Sequence, residues 1–450
     1  MMVAPPTWMT DPRALRGRRV LVMGLGLQGG GLGVAEFMRD LGAALTVTDL
    51  RVAEALGPSL ARLGEAGVRY VLGRHDLEDF RHAEIVVRNP AVRLDSPFLT
   101  AAREAGAAIE MEMTLFLRWC RAGAVVGVTG TRGKTTTSSV LHAILQADGR
   151  PVVLAGNLRV SALRALDAIG PQHTVVLELS SWQTEGLAHT GLHPHGAIVT
   201  NLMPDHLDRY PDLATYAAAK AHLLANQTPP DWAVLPDDAW GDWFARRTAA
   251  RVVRYSRSSP PPGWEHARLA GSHNRANCAA AAAAAHCFGV PERAIARAIR
   301  DFDGVPARQQ LLGTYGDIRA VNDTTATIPE ATLAALDTVP GPWVLIVGGS
   351  DKRLSFETLA LRLRDDPNLR ALILLPGSGT DRLRPLLGPR PAIQARTMAE
   401  AVDAAFAAAH PGDAVVLSPA CASFGLFQNE FDRGDQFVVA VRRRGSTESR

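Results

Sequence analysis

Val125-Val-Gly-Val-Thr-Gly-Thr-Arg-Gly-Lys-Thr-Thr-Thr137 is a β-branched run that breaks into a glycine-rich turn and then opens a helix. Strand, turn, Lys-Thr pair and helix, in that order, are the parts of a phosphate-binding loop. Gly130 and Gly133 let backbone N–H groups close around phosphate oxygens, Lys134 adds a point charge, and the hydroxyl of Thr135 or Thr136 can reach Mg²⁺. With Thr131 and Arg132 completing the turn, the stretch reads as an ATP site. Its spacing is tighter than the general G-x-x-x-x-G-K-[ST] form, because Val128 stands where the first glycine would be. A glycine-rich turn without a ligand is the bland alternative, and the order of elements argues against it.

The cations carry a second signal. Of 48 Lys plus Arg, only Lys134, Lys220 and Lys352 are lysines. Arginine serves on a solvated surface as well as lysine does, so a retained lysine marks a place that needs a compact ammonium or a deprotonatable amine. One of the three already lies in the loop. For Lys220 and Lys352, chance stays open until their surroundings are read.

A chain of 450 residues implies two to four domains. Its 47% hydrophobic and 21% charged content is that of a soluble globular protein. No apolar run approaches the ~18 residues that span a bilayer, and Met1 to Arg18 lacks a signal-peptide pattern. The expectation is a cytoplasmic protein with no membrane partner. Cys120, Cys278, Cys287 and Cys421 have no C-x-x-C spacing and read as buried thiols. The net charge of +3 is small and dispersed, so a nucleic-acid partner is unsupported.

The chain begins with a strand at 19–23, the turn Gly24-Leu-Gly-Leu-Gln-Gly29 and an apolar-periodic helix through Val34, Phe37 and Leu41. A second strand at 44–48 ends at Asp49, where an acidic side chain usually meets a ribose or base. By itself this G-x-G-x-x-G turn suits a nicotinamide dehydrogenase as well as other nucleotides. A strand at 84–88 follows, then a linker helix over 109–119 and a domain boundary near residue 112. The middle segment has strands at 174–178 and 196–200, with Glu178, Ser180, Gln183, Asn201 and His206 crowding their carboxyl ends, the edge where open α/β sheets bind ligands. A helix over 212–225 carries Lys220. His273-Asn-Arg-Ala-Asn277 reads as a polar turn introducing the alanine-rich helix 279–285. After Asp301 a third α/β segment has strands at 318–322, 343–347, 371–375 and 414–417. Strands alternating with helices imply parallel sheets. An ATP site needs a metal, and Glu178 with His206 could ligate one, although a salt-bridge carboxylate and a hydrogen-bonded loop histidine remain open readings.

Leu177-Glu-Leu-Ser-Ser-Trp-Gln183, Asp205-His-Leu-Asp-Arg-Tyr210, Tyr216-Ala-Ala-Ala-Lys220, Ser272-His-Asn-Arg-Ala-Asn277 and Ser418-Pro-Ala-Cys-Ala-Ser423, with the T-G-T-x-G-K-T loop, resemble the Mur ligases over nearly the whole chain. L-E-L-S-S-x-Q and S-P-A-C-A-S point to the glutamate-adding branch of that family. The resemblance implies three α/β domains: a Rossmann-like UDP-binding domain (1–112), a central P-loop ATPase-type parallel sheet (113–305) and a C-terminal Rossmann-like domain that binds the amino acid (306–450). It implies a monomeric ATP-dependent ligase of peptidoglycan precursor synthesis that joins glutamate to UDP-N-acetylmuramoyl-L-alanine through an acyl phosphate, with two Mg²⁺ ions. Lys220 would be carboxylated by CO₂ to a carbamate and would join Thr135, Glu178 and His206 around metal. Lys134, Lys220, His206 and Glu178 would be the catalytic set. Leu27 and Gln28 would lie near the diphosphate, Asp49 and Arg51 near uracil, and Asn157, Ser180 and Gln183 near the muramoyl group. His273, Asn274, Asn277, Arg308 and Asp323 would face ATP. Thr327, Lys352 and Ser423 would face the incoming glutamate. Closure of the third domain would bring amine and acyl phosphate together.

Departures from the family pattern gather in the third segment. Thr325 stands where the family usually has Lys in N-D-S-K-A-T-N, and Ile328 ends that motif. Ala307 and Gln310 replace a His and an acid around Arg308, and Phe424-Gly-Leu-Phe-Gln-Asn-Glu-Phe431 rearranges the residues after S-P-A-C-A-S, including Gly425 and Glu430. The acceptor that the resemblance implies is D-glutamate, and these departures raise L-glutamate as the alternative. Of two readings of other classes, a dehydrogenase fused to an ATPase needs a general acid or base facing the first crevice and none is convincing, while a non-enzymatic ATP-dependent switch would release phosphate regardless of the muramoyl substrate.

Overall fold

A computed structural model describes residues 5–27, 30–156, 161–206, 209–269, 271–352 and 354–448. The chain divides into two compact units, one running to Arg268 and taking in Ser272–Phe302, the other formed by Asp303–Arg450 with the short piece Leu269–Gly271.

The first unit holds two sheets. β1 (Arg19–Met23), β2 (Ala44–Asp49), β3 (Val68–Leu72), β4 (Ile85–Arg88) and β5 (Ala108–Glu110) lie in the order β3-β2-β1-β4-β5, all parallel. This is a doubly wound arrangement with its switch beside β1, where the Gly24–Gly26 turn emerges. β6 (Ala124–Thr129), β7 (Val152–Gly156), β8 (Thr174–Glu178), β9 (Gly196–Val199), β10 (Trp232–Pro236) and β11 (Arg251–Tyr255) form the second, in the order β11-β10-β9-β6-β8-β7, again all parallel. Val-rich β6 and β8 are buried along almost their whole length, as strands covered on both faces must be.

Three sequence expectations are corrected here. Residues 109–119 do not form one linker helix: Ala108–Glu110 is the edge strand β5, and the helix is Glu112–Trp119. Ile109 and Glu110 fall in ladder register with Val86 and Val87, so pairing with β4 overrides the local helical pattern. His273–Asn277 is not a turn before a helix but the first turns of the helix Ser272–Cys287 itself. The helix bearing Lys220 is shorter than expected, Leu213–Ala221, with Asp212 as its N-cap accepting from Thr215 N at 2.7 Å.

Helix Glu112–Trp119 buries Met113, Leu115, Phe116 and Trp119 in a core cluster that also takes in Val20 and Val22 of β1 and Val175 and Leu177 of β8. One continuous apolar cluster therefore serves both sheets of the first unit.

The second unit is a single sheet. β12 (Gln310–Tyr315), β13 (Ile318–Asn322), β14 (Trp343–Gly348), β15 (Leu369–Leu375), β16 (Ile393–Gln394) and β17 (Ala414–Leu417) lie in the order β12-β13-β17-β14-β15-β16. All pairs are parallel except the β12–β13 hairpin, which closes one edge antiparallel. Separate apolar clusters cover its two faces. Among the described residues no helix is long and apolar enough to cross a membrane.

Phe116 is fully buried where the two sheets of the first unit share their core. Phe116→Ala is expected to cost about 3–5 kcal/mol, read as a lower urea midpoint for the transition that includes this unit.

Candidate functional site

β6 lies between β8 and β9, so the loop leaving it is flanked by the carboxyl ends of both neighbours. That crevice is where open parallel sheets bind ligands. The loop is laced to β9's continuation: Thr131 N donates to Asn201 O at 3.0 Å, Arg132 N to Asn201 Oδ1 at 2.9 Å, and Thr200 Oγ1 to Arg132 O at 2.6 Å. Gly130 (φ +143°) and Gly133 (φ +81°) adopt backbone angles that side chains resist. A Cβ on Gly130 would sit 2.0 Å from Thr200 Oγ1, and one on Gly133 2.0 Å from Asn277 Oδ1. Only bare backbone fits this cradle.

Lys134 Nζ donates to Gly130 O at 3.1 Å and Thr131 O at 3.0 Å. Lys220 Nζ, from a neighbouring helix, reaches the same Gly130 oxygen at 2.9 Å. Lys220 is 1% exposed and its amine stands 4.4 Å from the centroid of the Tyr216 ring, which the i,i+4 spacing of Tyr216 and Lys220 sets beneath it. Burial, and then the charge of Lys134, hold the Lys220 ammonium well below the usual lysine range. Burial likewise pushes the Tyr216 hydroxyl up to about 12.

Glu178, 2% exposed, ends β8. His206 sits at φ +53°, its carbonyl accepting from Arg209 N and Tyr210 N at 3.0 and 2.9 Å, and its ring lies 5.2 Å from Trp182 and 6.1 Å from Tyr216. Asp205 links this loop to the phosphate loop through Arg132 at 3.7 Å. Ser180 and Gln183 form a capping box, Ser180 N donating to Gln183 Oε1 at 2.9 Å and Gln183 N to Ser180 Oγ at 3.3 Å, so part of the L-E-L-S-S-x-Q signal is a helix start. Among the described residues no group of three or more His, Cys, Asp or Glu side chains is placed to hold a metal. The expected set contains only two such side chains, Glu178 and His206; Thr135 opens the helix Lys134–Ala147, and Lys220 would join only as a carbamate.

Helix Ser272–Cys287 packs beside Lys134–Ala147 and delivers Asn277 to Gly133, while Asn277 Nδ2 donates to Asn274 Oδ1 at 3.3 Å. His273, its pKa lowered by burial, lines a cavity of about 270 Å³ with Ser272, Arg275, Arg257 and Ser258. Ser272 and Arg275 belong to the S-H-N-R-A-N motif, whereas Arg257 and Ser258 carry no motif and were not among the expected site residues.

In the first sheet, Asp49 accepts from Gly26 N at 3.1 Å and Arg51 N at 2.9 Å, so its carboxylate shapes the glycine turn. Leu27 is exposed beside it. Gln28 and Asn157 lie outside the described residues. A cavity of about 620 Å³ opens at the opposite edge, the amino ends of β1, β2 and β3, with Arg19, Ala44 and Val68 in its lining. None of the motifs reaches it, and the strand polarity places ligand chemistry at the other edge.

The remaining expected residues belong to the second unit. Asp323 accepts from Ser418 Oγ at 2.8 Å and from Gln309 N at 3.1 Å, and burial pushes its carboxyl up to about 7 despite the Arg308 charge nearby. Lys352 Nζ donates to Thr327 Oγ1 at 2.9 Å. Ser423, 3% exposed, lies on the strand-end loop that pairs through Ala422 with Ser350, two residues before Lys352. Three residues assigned to one pocket by resemblance are thus drawn together. Ala307, at a departure from the family pattern, takes φ +65° and donates its N–H to Gln310 Oε1 at 2.9 Å.

Comparison with known proteins agrees with this arrangement. Residues 18–110 match the Mur ligase MurD-like N-terminal domain, 128–267 the Mur ligase middle domain and 307–421 the Mur ligase glutamate ligase domain. Proteins named UDP-N-acetylmuramoylalanine--D-glutamate ligase from Roseiflexus sp. and Symbiobacterium thermophilum are similar at 44% and 36% identity, each over 94% of this chain and 98% and 97% of their own. In fold, the chain resembles the UDP-N-acetylmuramate-alanine ligase of Thermotoga maritima (TM-score 0.60, 19% identity, 95% of this chain and 99% of that one) and the MurF ligase of the same organism (0.59, 16%, 99% and 100%). With near end-to-end similarity to those ligases and all the motifs at one edge of each sheet, the chain belongs to the Mur ligase family.

Proposed function

We propose that this protein is an ATP-dependent ligase that joins D-glutamate to UDP-N-acetylmuramoyl-L-alanine in peptidoglycan precursor synthesis, acting as a cytoplasmic monomer. The family membership and the relatives' names support the reaction, and one observation supports its mechanism here: a buried lysine amine and the loop lysine converge on the Gly130 carbonyl. The three sheets correspond in this reading to domains 1–112, 113–305 and 306–450.

The substrate carboxylate attacks the γ-phosphorus of ATP, ADP leaves, and an acyl phosphate results. The amine of glutamate then attacks the acyl carbon and inorganic phosphate leaves as the amide forms. Loop N–H groups and Lys134 orient and neutralise the transferring phosphoryl group. His273, Asn274, Asn277, Arg308 and Asp323 position the nucleotide. Leu27, Gln28, Asp49, Arg51, Asn157, Ser180 and Gln183 hold the UDP-muramoyl substrate, and Thr327, Lys352 and Ser423 hold the acceptor.

A depressed amine pKa leaves a neutral fraction of Lys220 able to add CO₂, forming an N–C bond and releasing a proton; the carbamate is an anion where an ammonium stood. Guanidinium cannot make this adduct. The donor set fits a hard cation: Thr135 hydroxyl, Glu178 carboxylate, carbamate oxygens, and His206 as the softer member. Mg²⁺ held there would offset charge on the phosphate oxygens.

Three outcomes test the reading. Phosphate release and amide formation should depend on UDP-N-acetylmuramoyl-L-alanine and proceed with D- rather than L-glutamate; preference for L-glutamate would reassign the acceptor. Lys220→Arg, which preserves charge, should lower kcat by about a hundredfold or more, the scale of losing an organised electrostatic contact, and full activity would remove the carbamate. Gly133→Ala introduces strain of ~1–3 kcal/mol besides the clash with Asn277, so the apparent KM for ATP should rise about tenfold or more with the far-UV circular dichroism unchanged.

A further inference from the structure

Arg433, in the first turn of the helix Glu430–Glu448, is fully buried, yet its hydrogen bonds end on neutral oxygens. Nε donates to Thr324 Oγ1 at 3.0 Å, Nη2 to Thr324 O at 2.8 Å and Nη1 to Cys421 O at 3.1 Å. Among the described residues it makes no ion pair; Glu430 and the Cys421 thiol are the titratable groups whose fields reach it. Burial lowers its pKa to about 10, which leaves it charged at neutral pH.

A buried cation without an acid is costly, and an apolar side chain of similar volume would be the stabler filler. What the guanidinium does is bridge two loops. One carries Thr324 to Thr327, the other Cys421 to Ser423, and both contribute to the pocket assigned to the acceptor. The rest of the lacing is backbone: Ala420 N to Ala326 O at 2.8 Å, and the Ser350–Ala422 pair at 2.9 and 3.0 Å, which seats the loop of Lys352 against that of Ser423. Thr324 Oγ1 also donates to Glu430 O at 2.7 Å, fixing the helix start to the same point. Asp351, the acid beside Lys352, is already engaged by Arg382 at 2.6 Å.

We propose that Arg433 is a positioning residue for the acceptor: it clamps the Thr324–Thr327 and Cys421–Ser423 loops into the walls of the pocket in which Lys352 meets an acceptor carboxylate. This rests on the acceptor assignment made under Proposed function. The clamp needs a planar fork with donors on three nitrogens, which lysine lacks. The inference separates the two half-reactions, because acyl phosphate formation requires no acceptor.

The test is steady-state kinetics on the full-length chain with each substrate varied in turn, plus hydroxylamine trapping of the acyl phosphate without glutamate. Arg433→Lys and Arg433→Met should raise the KM for glutamate about tenfold or more, the scale of hydrogen bonds to a charged group, with KM for ATP, KM for the muramoyl substrate and trapped acyl phosphate within twofold of the parent. Thr324→Val, which removes one acceptor and keeps the charge, should shift the glutamate KM in the same direction by less, and it decides the matter if Arg433→Met does not fold. Unchanged glutamate KM in Arg433→Lys and Thr324→Val, or a parallel loss of acyl phosphate trapping, overturns the proposal while the parent remains active. A parent that traps acyl phosphate but forms no amide with glutamate overturns the acceptor assignment, and the proposal with it.

Discussion

The carbonyl oxygen of Gly130 accepts from two lysine amines at once, Lys134 from within its own loop and Lys220 from the helix after β9. Gly130 holds a positive backbone angle, Gly130 and Gly133 lie against Thr200 and Asn277 where a Cβ would clash, and in this conformation the Gly130 carbonyl meets both amines. Burial first, and the charge of Lys134 second, hold the Lys220 ammonium well below the usual lysine range. The chemistry of Lys220 thus follows from its burial against a loop remote from it in sequence.

The same loop sets the positions of the other polar groups. Its amide and carbonyl groups are bonded to Thr200 and Asn201, which leave β9, and the helix of Asn277 can approach because Gly133 has no side chain. Adjacent strand order therefore converts residues scattered from 130 to 277 into one edge of one sheet. The first sheet uses the same device on a smaller scale, with Asp49 at the end of β2 holding the glycine turn that leaves β1.

Most of the framework was legible before any coordinates. Buried parallel strands announce themselves as short Val-rich runs, so β1, β6, β8, β14 and β17 could be read directly. Strands with mixed exposure could not: β3, β11 and β12 are half-exposed and carry Arg, Tyr or Gln where alternation should show. β5 was mistaken for helix because three residues are too few to display a period, and only pairing with β4 defines them. At the site, glycines and isolated lysines were informative because their chemistry is rare in this composition. Arg433 was not, since one arginine among many on a charged helix looks like surface, and its bonds go to the Thr324 loop more than a hundred residues earlier and to the Cys421 loop just before the helix. The capping role of Ser180 and Gln183 was hidden beneath a motif read for ligand contacts alone.

A protein with three lysines is also an unusually simple one to watch. Each side-chain nitrogen stands at a different station: one in the glycine cradle, one sealed beneath Tyr216, one at the Thr327 hydroxyl. Isotopic enrichment of the lysine side-chain nitrogen alone would give three nitrogen signals in a 450-residue spectrum, each reporting its own locality without mutation. The arginine bias of this chain has, as a by-product, left its reactive amines spectroscopically isolated.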